Sequence, residues 1–112
     1  MSAITTHVLD TSHGRPAAEL KIELHKKSGE EWKSVGAGFT DESGRCNGLL
    51  GDLPLAVGTY RLTFHAGPYF KSLHFESFYS DIPVIFEVRD ARMHYHVPLL
   101  LSPYGYSTYR GS

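Results

Sequence analysis

Period-two alternation restricts this chain more than any other feature of its sequence. In LKIELHK, Leu20, Ile22 and Leu24 fall on one side while Lys21, Glu23 and His25 fall on the other. That is the pattern of a strand with one face in a core and one in water. TYRLTFHA repeats it, with Tyr60, Leu62 and Phe64 set against Arg61, Thr63 and His65. IPVIFEVRD does so again, with Ile82, Val84, Phe86 and Val88 against Ile85, Glu87 and Arg89. Between these segments lie DTSHGRPA, KKSGEEW, TDESGRCNG, LPLAVG and LSPYG, whose Gly, Pro, Asp and Ser residues supply turn conformations that strands cannot use. Short strands separated by such turns predict an all-β sandwich or barrel. One short helix is expected over GPYFKSLHF, with Pro68 at its first position and Tyr69 one turn from Leu73.

A chain of 112 residues can bury one core but not two, so residues 1–112 are expected to form a single domain. No internal repeat, low-complexity segment or linker interrupts it. The formal net charge of −1 gives no broad attraction to nucleic acid or to an acidic membrane surface. A single cysteine, Cys46, excludes an internal disulfide framework and a Cys-based zinc finger, and fits a reducing compartment. The first residues, MSAITTHVLD, show no basic segment followed by an apolar run, and no stretch approaches the ~20 apolar residues that span a bilayer. A cytoplasmic location is therefore expected.

The terminal strands carry the candidate chemistry. In ITTHVLD, Thr5, His7 and Leu9 share one face and Ile4, Thr6 and Val8 the other. In HYHVPLLLS, Tyr95, Val97, Leu99 and Leu101 form the core stripe, which leaves His94, His96, Pro98 and Leu100 on the outward side. Near the end Ser107 pairs in parity with Tyr109, and Thr108 with Arg110. Apolar groups on outward faces predict that a second subunit covers them. His7 and His96 each lie on such a face, where an imidazole with a pKa of about 6.5 suits proton transfer. His25, His65 and His74 read as solvated strand or loop residues without a role. His94 and His96 could offer two metal ligands, yet VPLLLSPYGYSTYRGS holds neither an acidic side chain nor a third histidine, so no metal site is assigned. Arg45, taken alone, is an ordinary turn residue, and Cys46 an inert buried thiol. The chain has no P-loop, dinucleotide fingerprint or G-x-S-x-G elbow.

Taken together, THVLDTSHGRPA, GRCNGLL and HYHVPLLLSPYGYSTYRGS resemble the transthyretin family over almost the whole chain. The resemblance implies a transthyretin-like antiparallel β-sandwich of two four-stranded sheets with one short helix, assembled as a homotetramer, a dimer of dimers. One branch of that family carries thyroid hormone; the other hydrolyses 5-hydroxyisourate in urate degradation. The enzyme branch is marked by a first-strand histidine, a mid-chain arginine, a penultimate-strand histidine and a terminal Y-R-G-S, which here are His7, Arg45, His96 and Tyr109 to Ser112. The implied reaction opens the six-membered ring at a lactam carbonyl, gives 2-oxo-4-hydroxy-4-carboxy-5-ureidoimidazoline, and needs no cofactor. By the same resemblance His7 activates water, Arg45 orients substrate and stabilises the oxyanion, and His96 positions substrate or relays protons. Ser112 adds a hydroxyl and the terminal carboxylate. Tyr109 and Arg110 join the substrate-binding set, while Leu9, Pro98, Leu100 and Ser107 are channel walls by parity. A non-catalytic small-ligand carrier is the alternative.

Overall fold

The computed structural model of the protein describes residues 3–112. The alternating segments become the strands of two sheets. The first contains β1 (Ile4–Asp10), β2 (Arg15–Pro16), β5 (Arg45–Cys46), β8 (Tyr95–Ser102) and β9 (Gly105–Thr108). Its order is β2-β1-β8-β9, with β5 on β1 as well. Because β8 occupies one edge of β1, both two-residue strands share the other edge: β2 opposite Leu9 and Asp10, β5 opposite Thr6 and His7. The sheet is thus four strands wide although it counts five. The second sheet runs β4 (Glu31–Phe39), β3 (Lys21–Ser28), β6 (Gly58–His65), β7 (Asp81–Val88).

Every pairing is antiparallel except one, since β1 and β8 run parallel. The sandwich is thus the antiparallel one that the resemblance implied, with this single parallel pair inside it. Alternation reveals which face a residue takes but not strand direction, and this pair joins segments at opposite ends of the chain.

The core lies between the two sheets. From β1 it takes Ile4 and Val8, and from β8 Tyr95, Val97, Leu99 and Leu101. Facing them are Leu20 beside β3, Ile22, Leu24, Tyr60, Leu62, Phe64, Ile82 and Val88, with Val84 and Phe86 partly buried at its edge. Thr6 also points inward, and its hydroxyl donates to the Val97 carbonyl, so burial leaves no polar group unsatisfied there. With Ile4, Thr6 and Val8 turned inward, Thr5, His7 and Leu9 face out.

Strand β4 was not marked by alternation, because EWKSVGAGF is an edge strand of mixed burial with two glycines. A register shift between Leu24 and His25 further interrupts its pairing with β3. The helix α1 (Ala66–Ser72) is present, but Pro68 is its third residue rather than its first. The position is still tolerated, since the first-turn amides have no partner within the helix. Tyr69 and Phe70 bury its inner side. The Tyr69 hydroxyl donates to the fully buried Asp10 carboxylate at 2.8 Å, tying the helix to the end of β1. Asp10 also accepts bonds from the amides of Ser12 and His13 and from both their side chains. Burial pushes this carboxyl up, but the bonds from Ser12, Tyr69 and His13 outweigh it and hold the group below its ordinary range. No helix among the described residues is long and apolar enough to cross a membrane.

Candidate active site

The outward face of the first sheet gathers the polar residues that parity had aligned. Along the parallel ladder Thr5 stands beside His96, His7 beside Pro98 and Leu9 beside Leu100. On the far side Leu100 pairs with Ser107, and on the near side His7 pairs with Arg45. Laterally paired residues in a sheet project to the same side. His7, Arg45, His96, Leu9, Pro98, Leu100 and Ser107 therefore occupy one surface.

Arg45 is held by the turn that precedes it. Thr40 is buried, its hydroxyl donating to the Ala17 carbonyl at 2.7 Å and accepting from the Leu20 amide at 2.9 Å. Next along the chain, the Asp41 carboxylate accepts from the amides of Ser43 (2.9 Å) and Arg45 (3.0 Å). Gly44 has φ +78, and a Cβ there would sit 2.4 Å from the Val8 carbonyl oxygen and 3.3 Å from Cδ2 of His7. Only glycine lets the turn press this closely on β1. The same turn orients His7, whose Nε2 lies 2.8 Å from the Ser43 carbonyl oxygen. A carbonyl only accepts, so Nε2 carries the hydrogen and, in the neutral ring, Nδ1 carries the lone pair. That lone pair is the one available to act as a base.

His96 is held from three directions. Its Nδ1 lies 2.8 Å from the Thr5 hydroxyl, which also lies 3.1 Å from Nε2 of His94. The rings of His94 and His96 stack at 6.5 Å with 16° between their planes. Over the other side runs the C-terminal tail, where the Gly111 amide donates to the His96 carbonyl at 2.8 Å. Burial lowers the pKa of His96, and the charges of Arg45, His94 and His7 lower it further, against a smaller upward effect of the Thr5 backbone. The ring is therefore neutral at neutral pH. Thr5, Arg45, Asn47, His94, His96 and Ser112 enclose a pocket of about 250 Å³, small enough to select a compact, polar ligand. An open groove of about 800 Å³ lies beside α1, but it does not join a guanidinium to paired imidazoles, and size alone supplies no chemistry.

Two of the sequence-predicted residues fall elsewhere. Strand β9 ends at Thr108, so the alternation that grouped Tyr109 with Ser107 stops one residue too early. Tyr109 and Arg110 instead line a cleft between the sheet edges, with Val84, Phe86 and Tyr95. The Arg110 guanidinium lies 4.6 Å from the centre of the Tyr95 ring. Arg110 thus anchors the tail over Tyr95, away from the imidazole pocket of the same chain. Ser112 does reach the pocket.

Thr5, Asn47 and His94 are pocket residues that the sequence did not single out for this site. The His94-x-His96 spacing had placed two rings on one face, and the register of β1 on β8 was needed to show that Thr5 joins them. Their facing nitrogens are occupied by that hydroxyl, and no group of three or more His, Cys, Asp or Glu among the described residues is arranged to hold a metal ion. Cys46 lies behind the site, buried, with burial pushing its thiol up, which disfavours a nucleophilic thiolate.

Two stacked sheets in this order, with one helix after β6 and an imidazole and guanidinium pocket on an outer sheet face, define a transthyretin-like sandwich carrying an acid-base site. The chain belongs to the HIUase/Transthyretin family, whose profile matches residues 4–111. It is 51% identical over 114 residues to 5-hydroxyisourate hydrolase 2 of Rhizobium meliloti (strain 1021), covering 97% of this chain and 95% of that one. The solved structure of Klebsiella pneumoniae 5-hydroxyisourate hydrolase superposes with a TM-score of 0.88 at 33% identity, covering all of both chains. Sea bream transthyretin in complex with thyroxine superposes with a TM-score of 0.92 at 26% identity, covering 97% of this chain and 94% of that one.

Proposed function

We propose that this chain is a cofactor-independent hydrolase that opens 5-hydroxyisourate to 2-oxo-4-hydroxy-4-carboxy-5-ureidoimidazoline in purine degradation. The observation that carries this reading is the meeting of Arg45 and a neutral His96 in one small pocket, with His7 in lateral register with Arg45. The likeness to named 5-hydroxyisourate hydrolases along nearly the full chain supports it.

Ring opening requires a base for the attacking water, a cation or donor for the oxygen that gains charge, and an acid for the departing nitrogen. His7 has its lone pair at Nδ1 and acts as the base. Arg45, fixed by the Asp41 turn, orients the substrate and stabilises the oxyanion. His96 positions the ring and relays a proton, and the Ser112 hydroxyl adds a hydrogen bond at the pocket mouth. Leu9, Pro98, Leu100 and Ser107 continue the wall on the same sheet face.

The working form in this reading is a single-domain subunit of a homotetramer in the cytoplasm. Support for assembly comes from β7 and β9, each the last strand of its sheet, and from exposed Ile85, Tyr104, Tyr106 and Tyr109 near that side. A carrier role, as the sea bream relative bound to thyroxine would suggest, is disfavoured by a pocket that presents a guanidinium and imidazoles to its ligand. The test is to add the protein to 5-hydroxyisourate freshly formed from urate and follow both its ultraviolet decay and the product by mass spectrometry. Accelerated decay to the ring-opened acid supports the reading, and decay at the spontaneous rate refutes it.

A further inference from the structure

Thr5 is 5% exposed and places its one hydroxyl between two imidazoles, 2.8 Å from Nδ1 of His96 and 3.1 Å from Nε2 of His94. A hydroxyl has one hydrogen, so it donates to one ring and accepts from the other. Two arrangements satisfy both bonds. In the first, His94 donates to Thr5 and Thr5 donates to Nδ1 of His96, which leaves the His96 hydrogen on Nε2. In the second the direction is reversed, and Nε2 of His96 carries a lone pair. The position is set by backbone rather than by a loop, because Thr5 and His96 are lateral partners in the β1·β8 ladder. His94 is exposed, whereas His96 is half-buried. The hydroxyl therefore connects the exposed imidazole at the edge of the pocket to the half-buried one within it.

Resting on the hydrolytic reading above, we propose that His94, Thr5 and His96 form a proton relay that supplies the departing nitrogen of the substrate. Protonated His94 begins in the first arrangement. As the ring C–N bond breaks, Nε2 of His96 gives its proton to the leaving nitrogen. The Thr5 hydrogen moves to Nδ1 of His96, and the Nε2 proton of His94 moves to the Thr5 oxygen. The bond's electron pair leaves with the nitrogen, His96 and His94 both end neutral, and the chain stands in the second arrangement. It resets when Nε2 of His96 takes a proton from pocket water and the two transfers run backwards to His94. The groups that face His96 fit this role: Arg45 from β5 and His7 from β1 disfavour a standing charge on the ring, so the ring conducts a proton without storing one. Thr5 is a positioning residue and His94 the proton source.

Thr5→Val removes the hydroxyl at nearly constant shape, and Thr5→Ser restores it. Thr5→Val is expected to lower kcat by about 30-fold, within the range of general acid catalysis, with KM changed less than about twofold. Thr5→Ser should recover most of the rate. In mixtures of light and heavy water the wild-type rate should bow with isotope fraction, and the Thr5→Val rate should follow a straight line. Nitrogen-15 imidazole titrations provide a readout independent of turnover. Coupled titration of His94 and His96 that Thr5→Val abolishes and Thr5→Ser keeps supports the relay, even if 5-hydroxyisourate proves not to be the substrate. Identical His96 titration in wild type and Thr5→Val, or an unchanged kcat in Thr5→Val, overturns it.

Discussion

Gly111 lies directly against the His96 ring: its amide donates to the His96 carbonyl at 2.8 Å, and a Cβ in its place would come 2.6 Å from Cδ2 and 3.2 Å from Pro98 Cγ. The tail cannot carry a side chain there without moving off the imidazole. Gly111→Ala should therefore cut kcat/KM at least tenfold, while Tm falls by no more than the several degrees that about 1 kcal/mol gives a domain of this size. Steady-state kinetics beside calorimetry checks both halves.

Arg110 anchors the same tail from the opposite side, over the Tyr95 ring. An exposed cation–π contact is worth about 0.5–1 kcal/mol, so Arg110→Ala should be a milder change than loss of Arg45. We expect KM for 5-hydroxyisourate to rise less than about threefold in Arg110→Ala, whereas Arg45→Ala should lose about 100-fold or more in kcat, as removal of an oxyanion donor does. A large KM effect in Arg110→Ala would return this residue to the substrate-binding surface.

The depressed pKa of His96 fixes the sign of the acid limb. Burial, Arg45, His94 and His7 all favour the neutral ring, so the active form persists below the ordinary imidazole pKa of about 6.5 and is lost only as pH falls through the lower, folded value. Replacing Arg45 by Met removes a cation that disfavours protonation. The His96 pKa, followed by NMR, should then move up. A downward or absent shift would contradict the electrostatic account.

Tyr69 and Asp10 test the frame that carries β1. Tyr69→Phe deletes one donor to a fully buried carboxylate, which costs about 1–3 kcal/mol. The folded protein should keep its turnover number. The variant should also unfold at higher pH than wild type on acidification. Asp10, with its folded pKa held below the unfolded value, contributes stability above that unfolded value and loses it as pH falls, and Tyr69→Phe reduces the depression.

Much of this site was readable from parity. Alternation grouped Thr5, His7 and Leu9 on one face of β1 and put His96, Pro98 and Leu100 outward on β8, and the ladder between them sets these residues side by side. Three things were not readable. Strands of two residues, Arg15–Pro16 and Arg45–Cys46, are too short to show a period, so parity left Arg45 an ordinary turn residue; only the family resemblance singled it out, and its pairing with His7 was not readable. Parallel pairing of chain ends leaves no local mark, so the Thr5 bridge between His94 and His96 was invisible. Parity does not show that β9 ends at Thr108, so the course of Tyr109 and Arg110 beyond the strand was not readable either.

The central claim is that His7, Arg45 and His96 act together on 5-hydroxyisourate on this sheet face. The most direct measurement is the ultraviolet decay of freshly formed 5-hydroxyisourate with wild type, His7→Ala, Arg45→Ala and His96→Ala, each first checked for wild-type secondary structure and assembly. The account predicts that wild type accelerates decay strongly and that each variant loses about 100-fold or more. Wild-type decay at the spontaneous rate, or full activity in any folded variant, would contradict it.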